Sequence, residues 1–268
     1  MAPASPSPAS QPFSPWALLL EYNGGPFVGW QRQDAGISVQ DVLENAAARL
    51  NHGAPVAATV AGRTDSGVHA AGQVASLSLP TGFTARQVRD ALNFHMKPHP
   101  VAVVLAAPAP EGWNPRFSAI HRAYRYQILN RRARPALLEG QVWHVAAPLD
   151  AGKMHEAAQT LLGRHDFSSF RAAACQAKSP IRTLDRLDVS RLGDLITVAV
   201  EARSFLHHQV RNLVGTLRLV GDGKWPVEKI AQVLAAKDRS AAGPTASADG
   251  LCLIRVTYPV EPFADSSP

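Results

Sequence analysis

The order in which hydrophobic periodicity switches along this chain most constrains its fold. Residues 16–22 read as a strand, and residues 39–51 place Val39, Val42, Leu43, Ala46, Ala47 and Leu50 on one helical stripe. Residues 56–60 are short and β-branched, and in residues 73–79 apolar Ala75, Leu77 and Leu79 alternate with Ser76 and Ser78. A second helix over 85–93 and a strand over 101–107 complete the series. Ser38 with Asp41, and Thr84 with Gln87, stand at capping-box spacing, and Gly53 follows the first helix. The order βαββαβ is the ferredoxin-like arrangement.

The run Pro108-Ala109-Pro110-Glu111-Gly112 reads as a crossing into a second, larger half. There the spacing predicts a strand from Tyr124 to Leu129 and a helix over 149–162, with Asp150 as cap and Gly163 as stop. Strands over 182–190 and 195–202, helices over 206–220 and 226–236, and a last strand over 251–258 follow. Helix-linked parallel crossovers are scarce, so the expected class is α+β with an antiparallel or mixed sheet. The expected organisation is a tail over 1–15, an N-terminal βαββαβ domain over 16–107, a basic C-terminal α+β domain over 108–262 and a tail over 263–268.

Charge separates the two halves. Up to Ala107 six Lys/Arg balance six Asp/Glu, so the net charge of +6 belongs to the remainder. Residues 112–138 hold Arg116, Arg122, Arg125, Arg131, Arg132 and Arg134 without an acid, interleaved with Trp113, Phe117, Tyr124 and Tyr126. Arginines neutralise phosphates and aromatic faces stack on unpaired bases, so this mixture suits a single-stranded RNA loop. Cys175 and Cys252 lie far apart with neither disulfide-framework nor zinc spacing, which fits a reducing cytoplasm. The Pro-, Ser- and Ala-rich start has no basic residue followed by a continuous apolar run, and is read as a tail rather than a signal peptide. No membrane span is expected.

Between the strands at 56–60 and 73–79 lies Gly62-Arg63-Thr64-Asp65-Ser66-Gly67-Val68-His69. On residue types alone this is a turn whose Asp caps its own backbone. Its surroundings change that reading. The loop resembles the Gly-Arg-Thr-Asp-x-Gly-Val-His loop of the bacterial tRNA pseudouridine synthases of the A type. Further blocks match in family order: Gly29-Trp30-Gln31-Arg32-Gln33, Arg116-Phe117-Ser118-Ala119, Arg122-Ala123-Tyr124-Arg125-Tyr126, Asp166-Phe167-Ser168-Ser169-Phe170-Arg171 and Phe205-Leu206-His207-His208-Gln209-Val210-Arg211-Asn212. Ala235-Ala236-Lys237-Asp238-Arg239, Gly250-Leu251 and Tyr258-Pro259 extend the match to about residue 259.

The resemblance implies two ferredoxin-like or RRM-like α/β halves whose sheets join, with a central active-site cleft. It implies isomerisation of uridine to pseudouridine at positions 38–40 of the tRNA anticodon stem-loop, by a homodimer, with Asp65 as the one catalytic group. Such an isomerisation involves no redox change, so no cofactor is expected. Asp65 could attack the sugar, attack C6 of the base or remove a proton. Arg211 would pair with Asp65, with Arg63 as the local alternative, and Tyr124 would pack on the flipped uracil and assist loss of the C5 proton. Arg116, Phe117, Gln176 and Lys178 would contact RNA. Adjacent His207 and His208 would diverge on a helix, so no metal site is expected. Ala123 and Ser66 depart from the residues common in the family, and neither touches the Asp65, Tyr124 and Arg211 set.

Two other classes compete. A non-catalytic RNA-binding protein accounts for the basic half but leaves a buried Asp–Arg pair without purpose, and the aromatic signature of RNA-recognition modules is missing. A nucleoside or sugar hydrolase accounts for Asp65 but needs a second carboxylate, which the loop does not offer.

Overall fold

A computed structural model describes residues 12–264, whose strands join in one ten-stranded sheet. In the first half the elements are β1 (Phe13–Tyr22), α1 (Val39–Leu50), β2 (Thr59–Val60), β3 (His69–Pro80), α2 (Ala85–Met96) and β4 (Val101–Pro108). Both capping boxes form: Ser38 Oγ accepts from the Asp41 N–H while Asp41 accepts from the Ser38 N–H, and Thr84 and Gln87 reciprocate in the same way. Capping satisfies orphan donors at each start, and the apolar stripes then bury Val42, Leu43 and Ala46 of α1 and Val88, Leu92 and Met96 of α2. Strands run β4-β1-β3 with β2 along the middle of β3, every neighbour antiparallel. This is the ferredoxin-like order predicted by the periodicity.

The second half contains β5 (His121–Leu129), β6 (Trp143–His144), α3 (Ala151–Gln159), β7 (Gly163–Asp166), β8 (Ile181–Leu192), β9 (Leu195–Ala202), α4 (Gln209–Gly221), α5 (Lys229–Ala236) and β10 (Leu251–Thr257). Its sheet order β10-β5-β9-β8 repeats the pattern of the first half, with β7 added at the edge and β6 beside β5. The halves join where β10 pairs in parallel with the start of β3, through Cys252↔His69 and Leu253↔Ala70. Thus β3 serves β2 along one stretch and β10 along another. Each half has its own hydrophobic cluster, and Tyr124 packs against both. Leu253 is fully buried at this seam, where truncation to Ala would cost about 2–5 kcal/mol.

Several boundaries differ from the periodicity reading. β1 starts at Phe13, inside the stretch assigned to a tail, and Phe263 packs against the first core; residues 1–11 and 265–268 of the expected tails lie outside the described residues. β2 is two residues long, whereas β3 begins at His69 and absorbs the end of the Asp65 motif. β6 and β7 are short and carry no alternation visible in the sequence. Helix α4 begins at Gln209 rather than at 206, which matters for the site.

Candidate active site

Asp65 sits in the loop between β2 and β3, held by a turn and by its neighbours. The Val68 N–H donates to the Asp65 carbonyl at 3.1 Å, and Gly67 occupies φ +78. A type II turn requires that conformation at its third residue, and glycine adopts it without steric cost. The Thr64 carbonyl accepts from the Trp30 N–H at 3.0 Å, and a Cβ at Gly29 would lie 2.8 Å from that same carbonyl. The Gly29-Trp30 block is therefore the surface on which the loop rests. Beneath it, Tyr22 and Thr64 hydroxyls are 2.8 Å apart, and Gln73 Nε2 donates to the Gly62 carbonyl at 2.8 Å. Burial pushes the Tyr22 phenol up to about 12.

The other half supplies what faces the carboxylate. Arg211, in the first turn of α4, places Nη1 3.6 Å from Asp65 Oδ2. Its Nε donates to the Ala246 carbonyl at 2.9 Å, and the Ala246 N–H returns a bond to the Arg211 carbonyl. His207 Nε2 lies 3.3 Å from Oδ1 and His208 Nε2 3.4 Å from Oδ2. All three groups stand at the start of α4, whose dipole also favours an anion. Arg63 is exposed and forms no ion pair with Asp65, so Arg211 is the partner geometry selects over the local alternative.

Here the expectation for the histidines fails. They precede the helix instead of lying on it: His208 is the N-cap with φ +61, and the Leu206 N–H is taken by Gln209 Oε1 at 2.8 Å. This left-handed residue turns the two rings together, with centroids 4.0 Å apart, and brings both onto Asp65. Asp65, His207 and His208 thereby place one ligand atom each within 4.8 Å of one another, a donor set able to hold a metal ion, with the Arg211 cation beside it. Burial lowers the His208 imidazole from its ordinary value, while the Asp65 charge pulls the other way. A Gln three residues after Leu206 was the sequence signal for a turn before the helix.

Tyr124 lies on β5 between β9 and β10, and its ring meets Phe205 edge-on at 5.2 Å. Burial, reinforced by the Tyr22 and Asp65 charges, holds its phenol well above the ordinary tyrosine value. The group therefore remains a phenol near neutral pH and is not a preformed base. Arg116 and Phe117 are exposed, the guanidinium 5.9 Å from the ring centroid. Gln176 and Lys178 are exposed on a loop that adjoins the site, since the Ala172 N–H donates to the His207 carbonyl at 3.1 Å.

A joined pair of ferredoxin-like halves with one loop carboxylate facing Arg and His from the other half defines the class of molecule, and sequence comparison gives its family. A sequence model described as tRNA pseudouridine synthase matches residues 157–259. The tRNA pseudouridine synthase A of Acidiphilium cryptum (strain JF-5) is 69% identical over 249 residues, covering 92% of this chain and 98% of its own. The protein of the same name from Gluconobacter oxydans (strain 621H) is 54% identical over 260 residues, covering 96% and 94%. That from Paramagnetospirillum magneticum (strain ATCC 700264 / AMB-1) is 58% identical over 243 residues, covering 91% and 94%. The chain belongs to the tRNA pseudouridine synthase family, isomerases that convert uridine to pseudouridine. No helix among the described residues is long and apolar enough to cross a membrane.

Proposed function

We propose that this enzyme isomerises uridines 38–40 of the tRNA anticodon stem-loop with Asp65 as its single catalytic carboxylate. Pseudouridine formation breaks the C1′–N1 bond, rotates the base and rejoins it through C5, expelling the C5 proton. Departure of the base leaves positive charge on the sugar, which one anion beside C1′ can stabilise or trap. The observation that carries this reading is the Asp65–Arg211 approach at 3.6 Å across the seam, which sets a guanidinium from one half beside the carboxyl group of the other. The uracil must leave its stack to reach it, and Tyr124 supports the role of an aromatic face for the flipped base.

Exposed Arg116, Phe117, Gln176 and Lys178 are assigned RNA contacts, with exposed Arg63 able to join them. The enzyme works as a homodimer in the cytoplasm, a reading that rests on the family resemblance. The chemistry needs no cofactor. The test is Asp65→Asn, which keeps shape and turn-forming bonds but carries no charge. Pseudouridine formation on an unmodified transcript should vanish while tRNA affinity stays within a few-fold. Mapping the product of the wild type should place it at 38, 39 or 40; turnover by the Asn variant, or product elsewhere, would refute the corresponding half of the proposal.

A further inference from the structure

Arg122 is a buried cation outside the set that faces Asp65. It lies on β5, is 8% exposed, and has no carboxylate partner among the described residues. Its two terminal nitrogens instead meet four backbone carbonyls. Nη1 donates to Arg203 at 2.7 Å and to Ala119 at 3.3 Å, and Nη2 to Arg116 at 2.8 Å and Ala61 at 2.9 Å. Burying a guanidinium without a counter-ion is costly, and such a residue is tolerated where its donors are hydrogen-bonded.

The identity of those acceptors is informative. Ala61 opens the loop that carries Asp65. Arg116 and Ala119 belong to the exposed loop that carries Arg116 and Phe117. Arg203 opens the turn leading to His207, His208 and Arg211 at the start of α4. Three segments from both halves of the chain, each bearing a different part of the site, therefore converge on one side chain. We propose that Arg122 is a positioning residue that fixes the carboxylate loop, the RNA-contact loop and the α4 entry relative to one another. The inference rests on the reading of Asp65 as the catalytic group.

The fork geometry makes the claim testable. Lysine keeps the charge, but its ammonium has three donors and cannot span four carbonyls. For Arg122→Lys, the single-turnover rate on saturating tRNA should fall roughly 100-fold, as an ångström-scale misplacement predicts. Its tRNA Kd should stay within a few-fold of wild type, because the Arg122 guanidinium is buried on backbone carbonyls and is not itself offered to phosphate. Val88→Ala, a fully buried substitution in α2 away from the site, serves as control for lost stability and should keep the wild-type rate. A wild-type rate in Arg122→Lys overturns the proposal, as does a loss of rate and affinity together that Val88→Ala reproduces at a similar melting temperature. Arg122→Gln provides a second variant, one without charge. Failure of both to fold also counts against the proposal, since it would make Arg122 a requirement of folding rather than a positioning residue of the site. Asp65→Asn run in parallel separates the two readings. If it turns over, the catalytic assignment fails and takes this inference with it; if it is dead while Arg122→Lys is normal, only the inference on Arg122 fails.

Discussion

Replacing Arg211 by alanine removes the cation beside Asp65, and the size of the loss follows from the geometry. Unit charges 3.6 Å apart attract by about 4–5 kcal/mol at an effective dielectric of about 20. The side chains are 16% and 23% exposed, so screening and the cost of desolvating both ions leave about 1–3 kcal/mol of that. If this appears in the transition state, the single-turnover rate falls by about 5- to 150-fold. Arg211→Lys should fall between, because an ammonium cannot hold both the Ala246 carbonyl and Asp65 as Nε and Nη1 do.

Loss of the C5 proton gives a direct assay: tritium released from tRNA labelled at uridine C5, with enzyme in excess. tRNA affinity should change little, since Arg211 is mostly buried against Asp65 and residue 246 rather than offered to phosphate. A wild-type release rate in Arg211→Ala would refute the reasoning. The two histidines would then be what sets the carboxylate, and the Arg211–Asp65 approach would be incidental to the chemistry.

Binding of tRNA should weaken steeply with salt, and neutralising Arg116 or Lys178 should flatten the slope by roughly one unit per lost phosphate contact; an unchanged slope in both variants would remove them from the interface. His208 should titrate below the ordinary histidine range by NMR, because burial lowers it, and lower still in Asp65→Asn, because the Asp65 charge is what holds it up. An upward move in that variant would contradict the sign. Cobalt(II) added to the free enzyme should develop the visible absorption of a protein-bound ion at Asp65, His207 and His208 and slow turnover, with a chelator reversing both. Absence of any cobalt spectrum would show that the Arg211 charge keeps cations out.

The elements legible in the sequence are those whose determinants are local. Helices α1 and α2 announce themselves through caps and stripes only a few residues apart, and both capping boxes form as spaced. β7 and the two-residue β6 are held by pairing with distant strands, and nothing in their own residues shows it. The start of α4 departs from the periodicity for a related reason: an apolar run through Leu206 continues the pattern, but Gln209 takes the Leu206 N–H and His208 turns left-handed. That single backbone angle converts two histidines that look divergent into a pair facing one carboxylate.

Asp65 itself was visible only because its loop keeps company with blocks far along the chain. On residue types it is a turn aspartate, and the structure confirms that the turn is real, with Gly67 at positive φ and Val68 bonded back to Asp65. What makes the turn a site is contributed by the other half, across a junction of two parallel residue pairs between β3 and β10. Each core draws mainly on one half, with Leu253, Val256 and Tyr258 reaching into the first core and Val68 into the second. Neither half could supply both the carboxylate and the cation facing it. The site therefore depends on the seam, and the seam is the part of the molecule that hydrophobic periodicity encodes least.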